Sequence, residues 1–173
     1  SPTEKLTVQS TGNSIGSFQS SGASYVGVQA YNSSQSFSML VRPDVSNALV
    51  FRNETTSTNQ LFLTTSGNLG LGVTPNTWYL NSTAYRALQM GASAILFGTN
   101  TAASANMTLY ANAYLDASAV SRYQYSSWAS NYTQTAGAHL WYTAASGTAG
   151  NAITFTQAMT LTAAGNLGIG ATS

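Results

Sequence analysis

One short segment occurs twice and limits what this chain can fold into. Residues 61–74 read LFLTTSGNLGLGVT, and residues 159–172 read MTLTAAGNLGIGAT. In each copy an apolar pair, Leu61/Leu63 or Met159/Leu161, sits at strand spacing ahead of a Gly-Asn dipeptide. Gly67-Asn68 and Gly165-Asn166 are turn formers, because Gly takes positive φ with no Cβ to clash. After the turn, Leu69-Gly70-Leu71-Gly72 and Leu167-Gly168-Ile169-Gly170 alternate apolar residues with Gly. Such a strand has one packed face and one bare face that another backbone can approach closely. The spacing predicts a β-hairpin with a glycine-rich return strand. Two settings suit it: the interior of a monomer, or the axis of an assembly.

The copies lie about 98 residues apart, beyond the 20–50-residue period of solenoids, so they read as seams between modules. A degenerate third copy, LTVQSTGNSIG, occupies residues 6–16. The seams divide the chain into an N-terminal β module, 1–75, and an aromatic-rich β module, 76–173. Expected strands in the first are residues 5–9, 24–31, 36–42, 48–53 and 60–65, with turns at Pro43-Asp44 and Asn53-Glu54. Expected strands in the second are residues 87–90, 94–99, 107–111, 120–126, 138–143, 152–156 and 159–161. Residues 83–90 (TAYRALQM) hold the one helical pattern, too short to stand alone. Short strands at 8–12-residue spacing argue for an all-β fold of sandwich or barrel-like modules.

Only 5% of the residues are charged, against about 25% in ordinary domains. Ser, Thr, Asn, Gln and Tyr must then cover the surface. That composition suits extracellular structural proteins in closed assemblies better than cytoplasmic enzymes. The net charge is +1 and the five cations are scattered, so nucleic-acid binding has no electrostatic footprint. No apolar run approaches the roughly 18 residues of a membrane-spanning helix, and no membrane insertion is expected. With no Cys in the chain, disulfides and thiolate metal sites are excluded. Oligomerisation is the remaining obvious source of stability.

Catalytic chemistry has little to draw on. Glycoside hydrolysis needs two carboxyl groups held close with separated pKa values. The four carboxylates are Glu4, Asp44, Glu54 and Asp116. The first three each lie near a cation (Lys5, Arg42, Arg52), which reads as solvated pairs or turns. His139, the single histidine, precedes Leu140-Trp141-Tyr142 and reads as a packed strand residue rather than a triad base. The glycines of GNLGLG and GNLGIG lack the Lys and the helix of a phosphate loop. The sequence therefore predicts no enzyme, no cofactor and no metal.

Aromatic residues are the richer signal. Tyr110, Tyr114, Tyr123, Tyr125, Trp128, Tyr132, Trp141 and Tyr142 crowd into the second module. Tyr123 and Tyr125 are spaced to share a strand face, beside Arg122 and Asp116. Residues 126–134 (SSWASNYTQ) read as a polar loop carrying Trp128 and Tyr132. Tyr and Trp join an apolar face to a hydrogen-bond donor, which suits a sugar ring. The candidate ligand-binding residues are thus Trp128, Tyr132, Tyr123, Tyr125, Arg122 and Asp116. The competing expectation places aromatics in the core and at subunit contacts, above all Trp141 and Tyr110.

The seams GNLGLGVTP and GNLGIGATS, the opening SPTEKLTV, and the stretch from residue 85 to 161 (YRALQM … TQAMTL) resemble modules of bacteriophage tail fibres and tailspikes. In that family such seams often lie just upstream of a self-cleaving intramolecular chaperone domain. The resemblance implies prism-like β-modules intertwined in a parallel homotrimer, located in the virion and acting outside the host in adsorption. The partners it implies are other copies of the chain, the rest of the fibre and tail, and a bacterial cell-surface polysaccharide or lipopolysaccharide. Three functions stay open at this point: receptor binding to a surface glycan, a structural spacer of the fibre, and a depolymerising tailspike fragment. Ser173 is a cleavage terminus, the Ser before the Pro of a further seam, or an arbitrary boundary of the segment.

Overall fold

A computed structural model describes residues 24–76, 85–99 and 106–170. Expected features at residues 5–9, 6–16 and 83–84, with Glu4, Lys5 and Ser173, lie outside the described residues. The fold is all-β. The strands are β1 (Val26–Tyr31), β2 (Ser36–Arg42), β3 (Ala48–Asn53), β4 (Thr58–Leu63), β5 (Leu69–Leu71), β6 (Tyr85–Met90) and β7 (Ala94–Thr99). They continue as β8 (Asn106–Ala111), β9 (Ala113–Leu115), β10 (Ser121–Tyr123), β11 (Ser127–Thr135), β12 (Ala138–Gly147), β13 (Thr156–Leu161) and β14 (Leu167–Ile169). No helix among the described residues is long and apolar enough to cross a membrane.

Among the described residues twelve strands form one sheet in the order β1 to β8, then β11 to β14, while β9 and β10 make a separate hairpin. Every described pairing in the large sheet is antiparallel except β5–β6. The spacing argument anticipated sandwich or barrel-like modules. A meander forms instead, because short connections such as Gly91–Ser93 and Ala136–Gly137 hold sequential strands side by side. With strands about 4.8 Å apart, the sheet is a ribbon roughly 50 Å long and only three to ten residues wide. The parallel β5–β6 pair carries it across residue 75 without a break in hydrogen bonding.

Of the two readings that met at residues 87–90, the strand is the one that forms, over Tyr85–Met90, and not the helical turn. Ala87 and Gln89 alternate inward while Arg86 and Leu88 point the other way, and pairing with both β5 and β7 outweighs the helical propensity of Ala, Leu and Met. Residues 126–134 are not a loop: β11 runs centrally between β8 and β12. Its polar side chains find partners on neighbouring strands, with Thr108 and Thr133 hydroxyls 3.1 Å apart and Thr135 donating to Asn106 Oδ1. Residues 152–156 contribute one isolated bridge, Arg122 with Ala152, before β13 begins.

Because side chains alternate along strands, the register divides the sheet into two faces of different character. On one face, Val50, Phe62, Gly70, Gln89, Ile95 and Tyr110 stand opposite one another on successive strands, and all are buried. Two apolar clusters lie on this side. One is Ala48, Val50 and Phe62 under Val45. The other includes Ala87, Ile95 and Tyr110, covered by Ala113 and Tyr123 of the β9–β10 hairpin and by Ile153 and Phe155.

The opposite face carries an unbroken apolar row through all twelve strands. It runs Val26, Val41, Leu49, Leu63, Leu69 and Leu88, then Leu96, Leu109, Tyr132, Trp141, Met159 and Ile169, each directly paired with the next. Not one of the twelve is buried. A parallel row, Val28, Met39, Phe51, Leu61, Leu71 and Met90, lies beside it and is also uncovered.

The two seams fold alike. Leu61, Phe62 and Leu63 face Leu71, Gly70 and Leu69, and Met159, Thr160 and Leu161 face Ile169, Gly168 and Leu167. Gly67 and Gly165 take φ of 81° and 85° at the turn. In the first turn the Thr64 and Gly67 amides donate to Asn68 O and Thr64 O, and in the second the Thr162 and Gly165 amides donate to Asn166 O and Thr162 O. The amides of Asn68 and Asn166 donate to the hydroxyls of Thr64 and Thr162.

Candidate functional site

The candidate residues separate into four settings. Asp116 and Arg122 lie at the turn end of the β9–β10 hairpin and form an ion pair there. Asp116 Oδ1 also accepts the Ser118 and Val120 amides, closing the turn. The Val120 amide first, then the Arg122 guanidinium, holds the Asp116 carboxyl below its ordinary value. Arg122 Nη1 donates to Gly150 O, tying the hairpin to the loop after β12. This pair stabilises a fold element, and each member keeps a partly exposed edge.

Tyr123 is only 6% exposed. Its ring lies where a Cβ on Gly147 would stand, 2.2 Å from a ring carbon, and its hydroxyl donates to Ala145 O at 2.6 Å. It is a core residue under the sheet. Tyr125, two positions on, has left the strand and is 49% exposed. The shared face expected for the two tyrosines is lost because β10 ends at Tyr123.

Trp128 is 70% exposed at the start of β11. A bulge between Ser127 and Ala129 shifts the pairing with β12 at this position, and bulges re-aim side chains. Asn112 holds the approach rigidly. Its side-chain amide donates to Tyr125 O at 3.1 Å and Trp128 O at 2.8 Å, and its Oδ1 accepts the Tyr125 amide at 2.8 Å. Asn112 has φ of 56°, a left-handed backbone that Asn tolerates. Its own carbonyl accepts the Gln124 amide. Sequence reasoning passed over Asn112. The signal was an Asn between two apolar-alternating stretches, NMTLYA and AYL, where a chain reversal is needed.

Tyr132 belongs elsewhere. It stands in the open apolar row, its ring centroid 5.1 Å from Trp141 and 6.0 Å from His139. The Tyr132 hydroxyl bonds His139 Nδ1 and accepts from Gln134 Nε2 at 2.9 Å. A depression of about 260 Å³ beside this cluster is lined by Leu109, Ala111, Ser130, Tyr132, Trp141 and Thr143. His139 is thus a packed strand residue, as its sequence neighbours suggest. Tyr110 is buried with its hydroxyl 2.6 Å from Ser121 Oγ, and burial raises its pKa. Trp141 is half-buried on the open face rather than in the core.

Arg42, Asp44, Arg52 and Glu54 are consumed in structure. Arg42 donates to both Asp44 oxygens at 3.0 and 2.5 Å and lies 4.9 Å from the Tyr25 ring centroid. Asn59 Oδ1 accepts from Arg42 and from Arg52, and Arg52 pairs with Glu54 at 2.9 Å. The Arg42 bond depresses the Asp44 pKa; the Ser38 hydroxyl first, then Arg52, depresses that of Glu54. Among the described residues no three His, Asp or Glu side chains gather as a metal site would require. No protein-family model and no curated protein matches this sequence.

Of the candidate residues, Tyr125 and Trp128 remain accessible as an aromatic edge, their backbone held by Asn112 at one end of β11. It lies apart from Tyr132 and from the buried Tyr123.

Proposed function

We propose that this chain is a segment of a bacteriophage tail fibre that assembles as a homotrimer and meets a bacterial surface glycan through Tyr125 and Trp128. The observation that carries the reading is the uncovered apolar row through all twelve strands. A soluble monomer rarely leaves so continuous an apolar face in water. Three such ribbons packed face to face around a threefold axis would cover all three rows, giving the prism-like modules that the tail-fibre resemblance implies. Tyr125 and Trp128 belong to neither apolar row, and a trimer would repeat the pair three times. Each contact can be weak, because three linked sites raise the effective concentration of the next.

The purified chain is expected to show three times its 18.0 kDa monomer mass by light scattering; a stable monomer overturns the assembly. On an array of bacterial glycans, Trp128→Ala is expected to lose about tenfold in apparent affinity, roughly 1.4 kcal/mol. Equal binding by wild type and variant would favour the structural-spacer reading, in which the trimer only transmits load along the fibre.

A further inference from the structure

The two seams share one hairpin but differ in what lies beyond it. In the first, β5 is covered by a parallel strand, with Leu69, Gly70 and Leu71 facing Leu88, Gln89 and Met90. Asn68 Oδ1 accepts the Ala87 amide at 3.1 Å, and Asn68 is buried. In the second, β14 is the last strand of the sheet among the described residues. Leu167 is 63% and Ile169 73% exposed. Asn166, the counterpart of Asn68, is exposed as well. An open edge with this geometry is a template for another strand.

The other end of the sheet supplies a strand of the required kind. β6 opens the part of the sheet that follows the first seam, and its Ala87-Leu88-Gln89-Met90 reads small, apolar, Gln, apolar. β1 contains Gly27-Val28-Gln29-Ala30, the same order, with β2 its one strand neighbour among the described residues. The faces agree. Leu88 and Val28 both lie in the open apolar rows, while Gln89 and Gln29 both point to the opposite face. The directions agree too. Strand directions alternate along the sheet except at β5–β6, so β14 runs the same way as β1. A second copy translated along the ribbon therefore meets β14 in parallel, as β6 meets β5, and keeps the apolar face on one side.

We infer that the β14 edge accepts, in parallel, the Val26–Tyr31 strand of a second copy of this chain, with Leu167 facing Val28, Gly168 facing Gln29 and Asn166 receiving the Gly27 amide. This end-to-end joint is distinct from face-to-face packing around an axis, and it repeats between copies the seam that joins β5 to β6 within one. It does not depend on glycan binding.

The chain has no Cys, so engineered thiols report cleanly. Leu167→Cys and Val28→Cys each replace an exposed apolar residue, and far-UV circular dichroism checks that each variant keeps its fold. Facing residues on paired strands lie within disulfide reach. After mixing and mild oxidation, the heterodimer of Leu167→Cys with Val28→Cys is expected in about tenfold excess over either homodimer, because the joint fixes the effective concentration of the two thiols. Absence of that heterodimer overturns the inference. A dominant Leu167→Cys homodimer also overturns it, since β14 would then pair with itself about a twofold axis. Light scattering on the same samples tests the trimer separately, so the two ideas fail independently.

Discussion

The strand edge of the first seam is paired within its own chain, and that of the second lies open among the described residues, although their turn and flanking strands are almost the same sequence. Both make the same turn, the same register and the same Thr-to-Asn hydrogen bonds. Yet Asn68 and Gly70 are buried while Asn166, Leu167 and Ile169 are exposed. The hairpin is therefore a local property. Its burial is conferred by whichever strand and loop come to rest on it: β6 at the edge of β5, and the 73–75 loop over Gly70.

The sharpest way to break the comparison is Gly70→Ala. An added Cβ would stand 2.2 Å from Val73 O and 2.8 Å from the Pro75 ring, so a loss of about 3 kcal/mol is expected by chemical denaturation, at the upper end of overpacking costs. Asn68→Ala comes next. It leaves the buried Ala87 amide without its acceptor, at about 2 kcal/mol, whereas Asn166→Ala is expected to stay within about 0.5 kcal/mol in dilute solution. Raising the protein concentration sharpens this pair, because an end-to-end joint would bury Asn166 and narrow the gap. Gly165→Ala costs about 1 kcal/mol from left-handed strain alone, with no atom within 4 Å of the new methyl.

The smallest effect concerns pH. Asp44, Glu54 and Asp116 all have folded-state pKa values below their ordinary values of 3.8, 4.5 and 3.8. Their contribution is fully present above those ordinary values and is lost as pH falls through the lower folded values. Urea midpoints measured from pH 7 down to pH 3 are therefore expected to hold level and then decline below about pH 4.5. Neither seam contains an ionisable side chain. The difference between Gly70→Ala and Gly165→Ala should accordingly stay constant across that range; a gap that changes with pH would tie seam burial to the charged residues.

Much of the strand pattern was legible in the sequence. The expected bounds of β2, β3 and β7 match the structure, because alternating apolar residues between turn formers specify a half-buried strand. β11 was not legible. Its Ser, Asn, Thr and Gln look like loop residues until β8 and β12 provide hydrogen-bond partners on both sides. The candidate site was legible as residue types but not as a place. Tyr123, Tyr125, Trp128 and Tyr132 lie within ten residues of chain, yet they end in the core, at an exposed loop, at a bulge and in the apolar row.

By itself the sequence determined the all-β class, the two Gly-Asn turns and the side-by-side alternation within each strand. These depend on φ/ψ preferences and on the two-residue period, which act over a few neighbouring residues. Only the tertiary structure decided that one apolar residue from each of twelve strands falls into a single row, that this row stays uncovered, and that one seam pairs with a further strand while its twin is the last strand among the described residues. Those outcomes depend on register, where a slip of one residue would send each side chain to the other face, and on contacts between residues far apart in the chain.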